Sequence, residues 1–159
     1  MIKTIGYIGL LIPLFTFSAS AQETGSLARI YPAGSQQTVF GAAENFTGRV
    51  SVDPLFTADK HINASGAYVT FEAGARSAWH SHPAGQRLVV TNGVGLTQQE
   101  GQPIQTLRVG DVVWCPPGVK HWHGAAAGSA MTHLAVTGVV DGKSVNWMEK
   151  VTDENVHAN

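Results

Sequence analysis

The sequence predicts an all-β domain, a sandwich or a barrel, and three observations carry that prediction. Short apolar or alternating runs recur at roughly 8–12-residue spacing with turn residues between them, the punctuation of consecutive strands. No helical period emerges until the last residues. Glycine is frequent, at 18 of 159 residues, and charged residues make up only 13% of the chain. That balance suits tight turns and half-buried strands better than long solvated helices. A chain of this length can bury one core, and no repeat, linker or low-complexity stretch divides it. One domain is expected.

Residues 1–21 read as a signal peptide and 22–159 as the domain. Lys3 gives a positive start, Ile5–Phe17 is almost wholly apolar, and Ala19-Ser20-Ala21 has the small-x-small form of a cleavage site. The apolar run is too short to span a membrane, and no cysteine follows it to accept a lipid. Export to the periplasm or beyond is expected, with no membrane attachment after cleavage. Gln22 to about Phe46 is weakly patterned and reads as an arm with one or two edge strands. Thr47–Phe56 alternates briefly and is expected to stop at Pro54. Asp59–Ser65 is a polar connection, and Gly66–Glu72 alternates as a half-buried strand. Leu88, Val89 and Val90 form a buried strand that the turn signal Asn92-Gly93 should close. Val94–Gln99, Ile104–Leu107, Val112–Trp114, His121–Ala125 and Met131–Val139 follow as further strands. Asp141-Gly142 is a hairpin-type turn, and a short helix is expected to begin near Thr152 or Asp153, where a capping residue precedes acids.

Formal net charge is −1, with Lys+Arg 10 against Asp+Glu 11. There is no basic stripe for nucleic acid and no acidic tail, so charge selects no macromolecular partner. Cys115 is the single cysteine, which excludes an intramolecular disulfide, and its apolar strand context predicts a packed thiol. Asn45-Phe46-Thr47 and Asn63-Ala64-Ser65 match the glycosylation acceptor pattern, which matters only in a secretory pathway that glycosylates.

Chemistry concentrates in two stretches. In Gly74–Gly93, His80 and His82 are separated by one residue, and on a strand such residues point to the same face. Pro83 and Gly85 supply a turn that can bring Gln86 alongside them. In Gly110–Ala125, His121 follows the rigid turn Pro116-Pro117-Gly118, and His123 lies two residues on. His80, His82, Gln86 and His121 make a candidate shell of three imidazoles and an amide oxygen. Such a set suits Mn²⁺, Fe²⁺, Co²⁺, Ni²⁺ or Zn²⁺.

The two stretches together resemble the cupins. Their first motif is Gly, five residues, His-x-His, three or four residues, Glu, six residues, Gly; Gly74, His80, His82, Gln86 and Gly93 keep that spacing with Gln86 in the place of the acid. Their second is Gly, five residues, Pro-x-Gly, two residues, His, three residues, Asn; Gly110, Pro116, Gly118 and His121 match and Ala125 replaces the Asn. The resemblance implies a double-stranded β-helix, or jelly-roll barrel, with a metal inside its mouth. From about Phe46 to Glu154 the chain is also similar to small bacterial cupins with (R)-selective hydroxynitrile lyase activity, through stretches such as Ala78-Trp79-His80, His121-Trp122-His123-Gly124 and Asn146-Trp147-Met148-Glu149. That similarity implies Mn²⁺ held by His80, His82, Gln86 and His121, with His123 and His133 as further pocket histidines. It implies an aldehyde- or cyanohydrin-like substrate and, by analogy with cupins, a homo-oligomer.

Single histidines are often core or surface residues. His61 and His157 lie in polar, unpatterned segments and read as surface. His133 lies in the apolar run Met131–Val136, where the pattern supports a structural histidine as well as a catalytic one; the resemblance favours the latter. Trp79, Trp114, Trp122 and Trp147 read as core or pocket wall. A neutral shell leaves the full cationic charge to act on a bound oxygen, which favours lyase or hydrolytic chemistry over oxygen activation. Gln86 cannot be a base, so proton transfer falls to His133 or His123. A cupin dioxygenase and a non-catalytic periplasmic module that binds a small ligand are the rival readings.

Overall fold

The computed structural model describes residues 27–157; the predicted leader, its cleavage site and the boundary at residue 22 lie outside them. The chain divides into two units, Met1–Ile30 and Tyr31–Asn159. Of the first, only Leu27–Ile30 is described, without strand or helix. The second contains every strand and helix seen among the described residues. In chain order these are β1 (Val39–Phe40), β2 (Phe46–Thr47), β3 (Val50–Phe56), β4 (Ala64–Phe71), β5 (Arg76–Ser77), β6 (His80–Ser81) and β7 (Gln86–Gln99). Then come β8 (Gln105–Arg108), β9 (Val112–Cys115), β10 (His121–Ala125), β11 (Met131–Gly138), β12 (Asn146–Trp147) and α1 (Asp153–His157).

All pairings are antiparallel. One sheet runs β1-β3-β4-β11-β7-β9, and the other joins β8, β7, β10, β5 and β2, with β6 bridging β10 and β12. β7 serves both: Gln86–Val89 pairs with β9, and Val94–Thr97 pairs with β8. Two antiparallel sheets sharing a strand in this way form the expected jelly roll.

Alternation explains the core. On β11, Met131, His133, Ala135 and Thr137 are buried while the residues between them are half-exposed, so a period-two pattern turns His133 and Thr137 inward. Phe71, Leu88, Val90, Val50 and Met131 fill the space between the sheets. Burying a ring such as Phe71 stabilises by about 2–3 kcal/mol. Trp79, Trp122 and Val151 form a second cluster with Val156 of α1 packed against it. Arg76 pins that end of the chain, donating from Nε and Nη2 to the Val151 carbonyl (3.1 and 3.0 Å) and from Nη2 to Asp153 (2.6 Å).

Two expectations need correction. Asn92-Gly93 does not end a strand: β7 continues for 14 residues. The chain turns there because the β11–β7 register shifts between Thr132 and His133, the bend a bulge produces, and Gly93 sits at φ 75°. Pro54 does not stop β3, which continues to Phe56. β1 pairs only with Ser51 and Val52, so Pro54 lies where β3 is itself an edge and its missing N–H is tolerated. Trp114 is a pocket wall, as expected: it lines a cavity of about 140 Å³ together with His121, is 46% exposed and has the Arg87 guanidinium 4.6 Å from its ring centre. Its neighbour Cys115 is buried as expected, and burial pushes its thiol up to about 12.

Candidate metal centre

Backbone pairing assembles the cluster. His80 opens β6 and is the direct partner of His121, the first residue of β10. The turn between His82 and Gln86 is closed by Gly85 N–H donating to the His82 carbonyl (3.3 Å). Gly118 N–H donates to that same carbonyl (2.9 Å), which draws the Pro116-Pro117-Gly118 turn and His121 toward the first motif. The ring centres are then 4.3 Å apart for His80 and His121, 5.0 Å for His80 and His82, and 5.3 Å for His82 and His121.

Each imidazole is oriented from behind. The Nδ1–H of His80 donates to the Ala78 carbonyl (2.9 Å), that of His82 to the Ser144 carbonyl (2.6 Å) and that of His121 to the Val119 carbonyl (2.9 Å). A carbonyl only accepts, so it fixes the proton on Nδ1 and leaves Nε2 with its lone pair free. One nitrogen from each ring lies within 4.8 Å of the others. Burial disfavours the imidazolium at all three. It lowers His82, lowers His80 well below the ordinary imidazole range with help from His121, and brings His121 down to about 4. Neutral imidazole is the metal-binding form.

Among the described residues, the buried side-chain atoms without a hydrogen-bonded protein partner are His82 Nε2, His121 Nε2, Gln86 Oε1 and His133 Nδ1. Three of the four belong to the predicted shell. Gln86 Nε2 donates to Thr137 Oγ1 (2.9 Å), so its oxygen is the free end of the amide. Buried polar groups are almost always satisfied, and unpaired lone pairs on His82, His121 and Gln86 beside His80 fit a divalent cation of borderline softness.

The remaining two histidines form a pair beside the cluster. His133 Nε2 and His123 Nδ1 are 3.1 Å apart. Burial holds His123 well below its ordinary range, with His133 adding to the effect, and brings His133 down to about 4. A cavity of about 230 Å³ opens beside the cluster. His80, His82, Gln86 and His123 are among its lining residues, and Phe46 and Trp147 are among its apolar walls. His133 is 1% exposed and lies behind His123, against Phe71. The Trp147 ring centre stands 5.0 Å from that of His80 and 5.3 Å from that of Phe46.

All six histidine and glutamine candidates are thus brought to one region, and exposed His61 stands apart from it; the side chain of His157 is not described. Sequence reasoning missed the supporting groups. The carbonyls of Ala78, Val119 and Ser144 carry no side-chain signal. Thr137 carried one, since it shares the inward face of β11 with His133.

The cupin-domain family matches residues 67–137. An (R)-mandelonitrile lyase from Granulicella tundricola is 57% identical over 121 residues, which cover 76% of this chain and 92% of that protein. The crystal structure of a cupin-like protein from Thermotoga maritima superposes with a TM-score of 0.70 at 40% identity, covering 82% of this chain and 96% of that one. A cupin-2 domain from Rhodospirillum rubrum shares the fold at 16% identity, with a TM-score of 0.62 over 83% of this chain and 86% of its own. With its two motifs converging on one cluster between two antiparallel sheets, the chain belongs to the cupin family.

Proposed function

We propose that this cupin is a metal-dependent, hydroxynitrile-lyase-like enzyme that cleaves small cyanohydrins, or forms them from an aldehyde and cyanide. One observation carries the reading: His82 Nε2, His121 Nε2 and Gln86 Oε1 are buried without partners beside a cavity that a further neutral imidazole, His123, also lines. Similarity to a protein named (R)-mandelonitrile lyase supports the reaction class and an aromatic substrate. His80, His82, Gln86 and His121 would hold a divalent cation, Mn²⁺ by resemblance. When bound, it supplies an electrophile for the substrate oxygen. The apolar walls at Phe46 and Trp147 receive the organic group and exclude water.

The histidine pair handles the proton. With Nδ1–H of His123 donating to His133 Nε2, the Nε2 lone pair of His123 is free to take the cyanohydrin hydroxyl proton. The carbon–cyanide bond breaks, its electron pair leaves with cyanide, and the O–H electrons form the carbonyl. The proton passes from His123 to cyanide, which departs as hydrogen cyanide. In synthesis these transfers run backwards. His133 acts by orienting His123 and sharing its charge. Export is part of the proposal and rests on the leader residues alone.

Mn²⁺-loaded protein given (R)-mandelonitrile tests this reading. Benzaldehyde and cyanide should be released in equal amounts. His121→Ala should lose most of the metal together with activity, whereas His123→Ala should keep the metal and lose about 10²–10⁴-fold in rate, the worth of a positioned base. Oxygen uptake without cyanide release would replace the lyase by a dioxygenase, and a bound ligand without turnover would replace it by a binding module.

A further inference from the structure

The amide of Gln86 poses a problem that a carboxylate would not. A carboxylate presents the same atom type at both ends, but a carboxamide has one oxygen that can bind a cation and one NH₂ that cannot. Half a turn about the last side-chain bond converts the ligand into a non-ligand. Gln86 is only 6% exposed, so bulk water does not hold either end. The Thr137 hydroxyl lies 2.9 Å from Nε2 and accepts from it, while the amide also interacts with the His82 ring. The contact is built into the sheet, because Thr137 and Gln86 are direct partners in the β11–β7 ladder and both side chains are buried.

We propose that Thr137 is a positioning residue for the metal centre: by accepting a hydrogen bond from Gln86 Nε2 it keeps Oε1 turned toward the three histidines. The inference rests on the ligand reading above. With a cation on the imidazole nitrogens, an inward NH₂ would face positive charge and find no lone pair. Turned outward, it needs an acceptor, and the threonine hydroxyl is that acceptor. Valine at position 137 has nearly the same shape and removes it. Holding Oε1 on the cation then leaves an N–H buried and unpaired, which is costly. Turning the amide over removes a donor from the cation. Either outcome weakens binding.

Binding of Mn²⁺ alone to the metal-free protein tests the idea, followed by the loss of the free-ion electron paramagnetic resonance signal and by the rise in Tm that the ion produces. Thr137→Val should raise the Kd by about 10–100-fold, the usual effect of losing a partner behind a metal ligand, while the Tm of its metal-free form stays close to that of the parent. Thr137→Ser, which restores a hydroxyl, should bind Mn²⁺ like the parent. Parent-like binding by Thr137→Val would overturn the proposal. Equal losses in the Val and Ser variants would overturn it too, because methyl packing rather than the hydroxyl would then be responsible. His82→Ala serves as the reference: if it also binds like the parent, the ligand reading itself fails, a result separable from failure at Thr137 alone.

Discussion

Gln86 is, with Ala125, one of two residues at which this chain departs from the general cupin motifs, and its neutrality has a chemical cost and a chemical use. As ligands, three imidazoles and an amide would leave the charge of a divalent ion unneutralised, which would strengthen its pull on a substrate oxygen. Glu at this position would add Coulomb attraction for the ion and reduce that pull, and the Thr137 hydroxyl that accepts from the amide could donate to a carboxylate instead. Gln86→Glu should therefore bind Mn²⁺ at least as tightly as the parent and cleave cyanohydrin more slowly. Metal titration and kcat at full loading check both halves. Undiminished kcat would show that the charge of the shell does not govern the rate.

At the scale of elements, β7 is the strand on which the site depends. It begins with Gln86, crosses from one sheet to the other and ends beside β10, which carries His121. The crossing is made at Gly93, whose φ is 75° and where an added Cβ would lie 1.8 Å from the Ala130 carbonyl oxygen. Backbone cannot move aside as a flexible side chain could. Gly101 shares the φ of 75°, yet an added Cβ there meets nothing within 4 Å. Alanine at Gly101 should cost only the left-handed strain, about 1–2 kcal/mol, whereas alanine at Gly93 adds overpacking of about 1–3 kcal/mol. Thermal unfolding should show a clearly lower Tm for Gly93→Ala than for Gly101→Ala. Equal losses would mean that strain alone matters at the crossing.

Across the whole molecule, the five histidines of the site set a common pH dependence. All have pKa values lowered by burial, with those of His121 and His133 brought down to about 4. Above about 6.5, the ordinary imidazole value, folded and unfolded chains are both neutral at these positions and no stability is lost. Below it the unfolded chain takes up protons first, so stability falls with falling pH, for His121 and His133 until their folded forms also protonate near 4. The metal-free protein should be stable near neutrality and lose stability steeply between about pH 6.5 and 4, as denaturant midpoints measured across that range would show. Mn²⁺ should move the loss to lower pH, because the ion competes with protons for the imidazoles. A midpoint that is flat across this window would contradict neutral burial of the cluster.

Much of this was legible in the chain itself. Period-two alternation at Met131–Thr137 determined which side of β11 faces inward, because a strand offers only two faces. The His-x-His pair, the Pro-Gly turn and the second His after Pro116-Pro117-Gly118 identified the cluster, since turn residues and same-face spacing are local properties of sequence. Local signals misled where a neighbouring strand decided the outcome. Asn92-Gly93 reads as a turn, but pairing with β8 and β10 beyond it keeps β7 extended. Pro54 reads as a stop, but its position on an open edge removes the penalty. The order of His123 and His133 from the cavity, and the partners of His82 and Gln86, depended on contacts between residues far apart in sequence. Alternation could say that both histidines turn inward; only packing against Phe71 and across β10 put His123 at the cavity and His133 behind it. The Pro83–Gly85 turn likewise supplied Gln86 as a candidate ligand, but which end of its amide faces the histidines was decided by Thr137, 51 residues away on the adjacent strand.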